Sequence, residues 1–139
     1  MARARRLALA MLAAACGCAS SSGHAPVARI AFGDCRAAAP PSSFYVPLGD
    51  GYRTDVPLDG SCSDDPLDDP TGAMPLAFHF AIDDPAPQVT SGSLDGARVT
   101  VRVAGSRPTA VRLTVTNLAG AAGSAAASIG VTLSVDAGP

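Results

Sequence analysis

Residues 98–116 read Arg-Val-Thr-Val-Arg-Val-Ala-Gly-Ser-Arg-Pro-Thr-Ala-Val-Arg-Leu-Thr-Val-Thr. Val99, Val101 and Val103 alternate with Arg98, Thr100 and Arg102. Beyond a Gly-Ser-Arg-Pro break, Val111, Leu113 and Val115 alternate with Arg112, Thr114 and Thr116. Successive side chains of a strand point to opposite faces, so each half predicts a half-buried strand and the break predicts a turn. The same period extends in both directions. Upstream, Leu76, Phe78, Phe80 and Ile82 alternate with Ala77, His79 and Ala81, and Val56 and Leu58 with Asp55, Pro57 and Asp59. Downstream, Val131, Leu133 and Val135 alternate with Thr132, Ser134 and Asp136. Residues 27–32 and 44–48 are weaker candidate strands. Turn residues gather at Gly49-Asp50-Gly51, 64–72, Asp83-Asp84-Pro85 and Ser106-Arg107-Pro108. About seven short strands at this spacing predict an all-β, antiparallel β-sandwich. Phe78, Phe80, Leu113 and Val115 should point into its core, with His79, Arg112 and Thr114 facing away. The Ala-rich stretch 118–128 holds Gly120, Gly123, Ser124 and Ser128 and no amphipathic stripe, so it is expected to be a loose turn.

Composition supports this class. The chain has 139 residues, the size of one domain, with 47% hydrophobic and 16% charged residues, which excludes a disordered polar chain. All 12 acids are Asp and all 10 bases are Arg. The absence of Glu and Lys, with 14 Gly and 12 Pro, argues against a helical bundle, whose surfaces use those residues.

The N-terminus carries an address. Arg3, Arg5 and Arg6 precede an apolar run over 7–15, which has the length of a secretory h-region and falls short of the roughly 20 residues of a membrane span. The run ends in Ala13-Ala14-Ala15-Cys16-Gly17-Cys18. Small residues before a Cys resemble the bacterial lipoprotein cleavage box, in which the Cys becomes residue one and its thiol carries a diacylglycerol. Residues 1–18 are therefore expected to be a signal peptide with a lipobox-like end. The lipid would sit on Cys16, or alternatively on Cys18; ordinary cleavage, for example after Ala19, is the other reading. Residues 19–25 read as a flexible tether and 26–136 as the domain. The expected address is the bacterial cell envelope, lipid-anchored at the outer membrane or cell surface, with a secreted or periplasmic protein as the alternative. Loss of the n-region leaves seven Arg against 12 Asp, a net charge of about −5, which disfavours nucleic acid as a partner.

Two cysteines remain in the domain, Cys35 and Cys62. An exported pair of this kind is expected to form a disulfide, which in the chain-entropy model contributes roughly 3 kcal/mol. The alternative is two separate buried thiols. A bridge also poses a problem, because the first strand, if simply antiparallel to the next, would leave Cys35 at the wrong end of the sheet.

The order of several blocks resembles the polycystic kidney disease (PKD) type of immunoglobulin-like domain. They are Ala25-Pro26-Val27-Ala28-Arg29, then Leu58-Asp59-Gly60-Ser61-Cys62-Ser63-Asp64-Asp65-Pro66, then Pro75-Leu76-Ala77-Phe78-His79-Phe80, then Leu113-Thr114-Val115-Thr116-Asn117. The family pattern reads Leu-Asp-Gly-Ser-x-Ser-x-Asp-Pro, Pro-Leu-x-Tyr-x-Trp and Leu-Thr-Val-Thr-Asp at these places. This chain has Phe80 for the Trp and Asn117 for the final Asp, and Asp83-Asp84-Pro85 near the family's Gly-Asp-Gly turn. The resemblance implies a two-sheet immunoglobulin-like sandwich with a protein- or carbohydrate-binding role.

The most chemical-looking feature is Asp64, Asp65, Asp68 and Asp69 on one loop. Closely spaced carboxylates can supply several of calcium's oxygen ligands, so calcium is the candidate metal and cofactor, set against a solvated Asp/Pro turn. Asp83 and Asp84 should lie at the opposite end of the sandwich. Asp59 and Ser61 read as structural turn residues. Arg98, Arg102 and Arg112 could form a basic stripe on one sheet. The sequence holds no nucleophile elbow, zinc-protease helix or phosphate loop, and no catalytic residue is assigned. The expected function is a non-catalytic, envelope-tethered binding or spacer module contacting an unknown protein or glycan; the alternative is a structural subunit of an envelope complex that pairs through a sheet edge.

Overall fold

The two best-patterned segments are both strands, yet they belong to different sheets. In the computed structural model, which describes residues 23–37, 43–47, 53–84, 87–104 and 107–132, eight strands follow one another. They are β1 (Ala31–Phe32), β2 (Ser43–Pro47), β3 (Arg53–Asp59), β4 (Ala77–Ile82), β5 (Gln88–Gly92), β6 (Arg98–Ala104), β7 (Thr109–Thr116) and β8 (Ala122–Thr132). They form two four-stranded sheets, β1-β3-β6-β5 and β2-β8-β7-β4. All neighbours are antiparallel except β2 and β8, which run parallel. The described residues contain no helix. The signal segment with Cys16 and Cys18, the 49–51 turn, and Leu133 and Val135 lie outside the described residues.

Alternation decides which side chains meet between the sheets. Val56 and Leu58 of β3 and Val99, Val101 and Val103 of β6 are buried on one side, and Phe80, Val111, Leu113, Val115 and Ile129 on the other. Phe80, Leu113 and Val115 are completely buried, as expected, and His79 and Arg112 are exposed. Phe78 only flanks this core and is partly buried, and Thr114 is likewise half-buried. With no Trp in the chain, Phe80 is the largest fully buried side chain among the described residues.

Two expectations change, and one strand is new. The Ala-rich stretch is not a loose turn: β8 runs through it and pairs with β7 from Thr116↔Ala122 to Thr109↔Ile129. Its period of two is present but written in small residues. Ala127 and Ile129 are buried and Ala125 half-buried, while Ala122, Ser124 and Ala126 are exposed. Gly123 is required there, because a Cβ would collide with the Pro26 carbonyl oxygen. β5 carries no readable signal, since all five of its residues are exposed. β1 is only two residues long, and this answers the disulfide problem. Gly33, at φ +81°, turns the chain immediately, and its N–H donates to the Pro57 carbonyl at 3.0 Å. Cys35 thereby returns to the end of β3 and joins Cys62, with Cα atoms 5.8 Å apart, within the roughly 7 Å that a bridge allows.

Candidate functional site

The loop from Gly60 to Leu76 starts on a buried acid. Asp59 is 1% exposed. Its carboxylate accepts from Ser61 N–H at 2.8 Å, Cys35 N–H at 3.3 Å and Arg98 Nε at 3.1 Å. Burial alone would raise its pKa, but the donors from Ser61, Cys35 and Arg98 outweigh it and hold the carboxyl below the usual carboxylate range. Gly60 follows because nothing larger fits: a Cβ there would lie 2.7 Å from Leu113 Cδ2. Asp59 thus ties the disulfide, the β3 end and the β6 start together, and its role is structural.

Further along, three segments meet at the same end of the sandwich: the loop after β3, the turn between β7 and β8, and the entering chain at Gly23 and His24. Val27 and Asp64 form a two-way backbone bridge, N–H to carbonyl at 2.7 and 3.1 Å. Asn117, at the end of β7, is the hub. Its Nδ2 donates to Asp65 Oδ2 at 2.9 Å, to the His24 carbonyl at 3.0 Å and to Asp68 Oδ2 at 3.3 Å, while its Oδ1 accepts from Ala121 N–H at 3.0 Å. Asp68 also accepts from His24 N–H at 2.6 Å and faces His24 Nδ1 at 2.8 Å. The His24 contacts, with Asn117, hold the Asp68 carboxyl below its usual range despite the opposing pull of desolvation. The segment expected to be a flexible tether is therefore pinned to the domain from Gly23 onward.

These residues line an open cavity of about 430 Å³, with Asp65, Asp68, Asp69 and Asn117 on its polar side and Met74, Pro75, Leu76 and Leu118 on its apolar side. Asp65 is 6% exposed, and its Oδ1 is buried with no hydrogen-bond partner. Of its apolar lining, Met74 and Leu118 are more than half exposed, at 53% and 70%.

The acidic loop is thus only partly what the sequence suggested. Asp65 and Asp69 are buried instead of lying on an exposed loop. Asp69 is occupied by the backbone: its Oδ2 accepts from Met74 N–H at 2.6 Å and its Oδ1 from Thr71 Oγ1 at 3.0 Å. These donors, Met74 N–H foremost, hold its carboxyl low. Asp64 is exposed. Only Asp65 and Asp68 come together, on Asn117. Among the described residues, the one group whose ligand atoms lie within 4.8 Å of one another is Asp34, Cys35 and Asp59, and there the disulfide leaves no thiolate for a metal. Asp83 and Asp84 sit at the opposite end, where Asp83 N–H bonds the Ala110 carbonyl at 2.9 Å. The basic stripe does not form. Arg98 pairs with Asp59 and Arg102 with Asp55 at 2.7 Å across β3 and β6, and Arg112 lies on the other sheet. Sequence reasoning missed Asn117 as a site residue. Its signal was present as Asn in a place where the PKD pattern has Asp: a donor where a third carboxylate would repel Asp65 and Asp68.

No family model and no curated protein matches the chain by sequence. Solved structures resemble it in fold, two of them as follows. One is a nucleoside hydrolase-related hypothetical protein from Saccharophagus degradans, associated with carbohydrate metabolism, at a TM-score of 0.56 and 18% identity over 79% of this chain. The match spans only 26% of that protein. The other is the PKD domain from the KIAA 1837 protein, at a TM-score of 0.53 and 19% identity, covering 86% of this chain and 97% of that domain. At these identities the likeness concerns the fold, and the fold of this chain is similar to that of a PKD-type immunoglobulin-like domain.

Proposed function

We propose that this chain is an exported, non-catalytic binding module of a bacterial envelope, tethered by a lipid on Cys16 or Cys18, and that it meets a protein partner through the cavity at its entry end. The observation that carries this reading is the open cavity with Asp68 and Asn117 on one side and the exposed apolar side chains of Met74 and Leu118 on the other. Exposed apolar residues gathered around a concave site are the ordinary mark of a contact surface. The described cavity lining has no aromatic ring, so it offers no flat stacking face for a sugar, which favours protein over glycan. Six residues lie between Cys16 and Gly23, so the seven steps from one to the other reach at most about 25 Å. A lipid on Cys16 would hold the cavity near the membrane, facing other envelope proteins. Because β8 runs away from the Asn117 turn, its far end lies opposite, so the sandwich also works as a spacer.

A photo-crosslinking residue placed at Leu118 should capture a partner in intact cells, whereas one at Val89 on β5 should not. Capture from Val89 alone would favour the rival reading, sheet-edge pairing. β5 is poorly suited to that role, because its register shifts between Val89 and Ser91 and bulges discourage edge pairing. The anchor is tested separately: an alkyne palmitate analogue should label the wild type and not the Cys16→Ser/Cys18→Ser double variant.

A further inference from the structure

We infer that the peptide bond between Asp65 and Pro66 is a site of self-cleavage, with the Asp65 side chain as the nucleophile. The inference is independent of what occupies the cavity. A side-chain carboxyl of Asp can close a five-membered ring on its own residue's carbonyl carbon, an intramolecular attack that needs no molecule to enter the site. Proline assists because its nitrogen belongs to a tertiary amide without a hydrogen, and it takes a proton and leaves more readily than an ordinary peptide nitrogen. The chain has three Asp-Pro bonds, 65–66, 69–70 and 84–85; Pro85 lies outside the described residues.

The first two bonds are a matched pair with one difference. Asp65 and Asp69 are both buried, at 6% and 8% exposure, and Pro66 and Pro70 are both exposed. Each scissile carbonyl is held by a backbone donor, Asp69 N–H on the Asp65 oxygen at 2.8 Å and Gly72 N–H on the Asp69 oxygen at 3.1 Å. Such a donor steadies the negative charge that grows on the oxygen as the carbon is attacked. The carboxyls differ. Asp69 has given Oδ1 to Thr71 Oγ1 and Oδ2 to Met74 N–H. Asp65 is fixed on one side only, by Asn117 Nδ2 on Oδ2 at 2.9 Å, and its Oδ1 is buried with no partner. A proton taken up by Asp65 therefore sits on Oδ1. In the reaction, Oδ1 bonds to the Asp65 carbonyl carbon and its proton passes to the Pro66 nitrogen. The C–N bond breaks, its electron pair stays with nitrogen, and a cyclic anhydride of Asp65 is left. One water opens the anhydride, so that Asp65 ends the first piece with two carboxyl groups and Pro66 begins the second with a free secondary amine. The pieces stay interlocked, since β3 of the first pairs with β6 of the second and β2 with β8. The cut thus replaces the covalent link between the N-terminal segment and β4 to β8 by strand pairing alone.

Incubation of the purified mature protein at about pH 5, above the range in which acid should unfold it, tests this. Mass spectrometry under denaturing conditions should find one fragment ending at Asp65 and one beginning at Pro66, together one water heavier than the intact chain. Size-exclusion chromatography without denaturant should still show a single species. Freeing an Asp69 oxygen costs a charge-assisted hydrogen bond, a factor of roughly ten in rate, so cleavage at 65–66 should be at least about tenfold faster than at 69–70. In urea, where neither loop persists, the 65–66 rate should fall and the two rates should converge. Pro66→Ala keeps the acid and replaces the tertiary amide, and it should abolish the fragments. Asp65→Glu, which must close a six-membered ring, should slow cleavage at least about tenfold; Pro66→Ala carries the test if Asp65→Glu does not fold. Absence of the Asp65 and Pro66 fragments, equal rates at the two bonds in the folded protein, a preference unchanged in urea, or undiminished cleavage in Pro66→Ala would each overturn the assignment. Separation of the two pieces without denaturant would overturn the interlock.

Discussion

Asp59 and Asp65 lie six residues apart, leave the same strand and are both buried, yet they are built in opposite ways. Asp59 has donors for both oxygens: Ser61 N–H on Oδ1, Cys35 N–H and Arg98 Nε on Oδ2. Asp65 has one donor, and its second oxygen has none. The first arrangement closes a structural joint between two strands and a disulfide. The second leaves an electrostatic demand unmet beside an open cavity. Burial of an acid therefore says little about function until its donors are counted, because a satisfied carboxylate stabilises the fold and an unsatisfied one destabilises it until something else supplies a proton donor.

The comparison can be sharpened from its largest effect downward. Phe80 sets the scale, since it fills the core behind Gly60. Phe80→Ala should cost about 3–5 kcal/mol in urea unfolding, and tolerance of this change would undermine the core on which both acids rest. Asp59→Ala should cost about 2–4 kcal/mol, because it strands the buried Cys35 N–H and the part-buried Ser61 N–H and frees the Arg98 guanidinium. A near-neutral result would mean that Asp59 is not the joint described. Acid should reproduce part of this loss. Asp59, Asp68 and Asp69 all have folded-state pKa values below their ordinary values. The unfolded chain therefore binds protons first, and the stability that these acids contribute is complete above about pH 4 and lost as pH falls through the lowered folded values. Melting temperature should fall steeply over that range, and Asp59→Ala should flatten the slope. His79→Ala should cost under about 1 kcal/mol, because the His79–Asp95 pair is exposed; a large loss would mean that β4 is in the wrong register. Asp65→Ala should come last, within about 1 kcal/mol of wild type and on the stabilising side, since it removes an unpaired buried oxygen. If it costs as much as Asp59→Ala, Asp65 is a second joint.

Much of the architecture was legible in residues 98–116 and their neighbours. Alternation of β-branched and polar residues names the buried face of β3, β4, β6 and β7 without knowledge of their partners, because each strand must bury one face on something. The Asp59-Gly60-Ser61 turn was legible in part, since the Ser61 N–H bond to Asp59 is local, whereas the Cys35 and Arg98 donors arrive from distant segments. β8 was hidden, since Ala and Gly write the same period with too little contrast in hydrophobicity to read. β5 was hidden because it buries nothing. Segment order could not reveal that β6 and β7 part into different sheets, nor that β2 lies parallel to β8, since pairing is chosen by contacts across the whole chain. The return of Cys35 to Cys62 depended on a two-residue strand ended by Gly33, a length set by packing. The cavity is the furthest from the sequence. Asp65, Asn117 and His24 come from three distant segments, and whether a carboxylate oxygen is left without a donor depends on where the other two arrive. Sequence determined the strands and their inner faces; tertiary structure alone decided which acid was satisfied, because a hydrogen bond between distant segments exists only once the chain has closed.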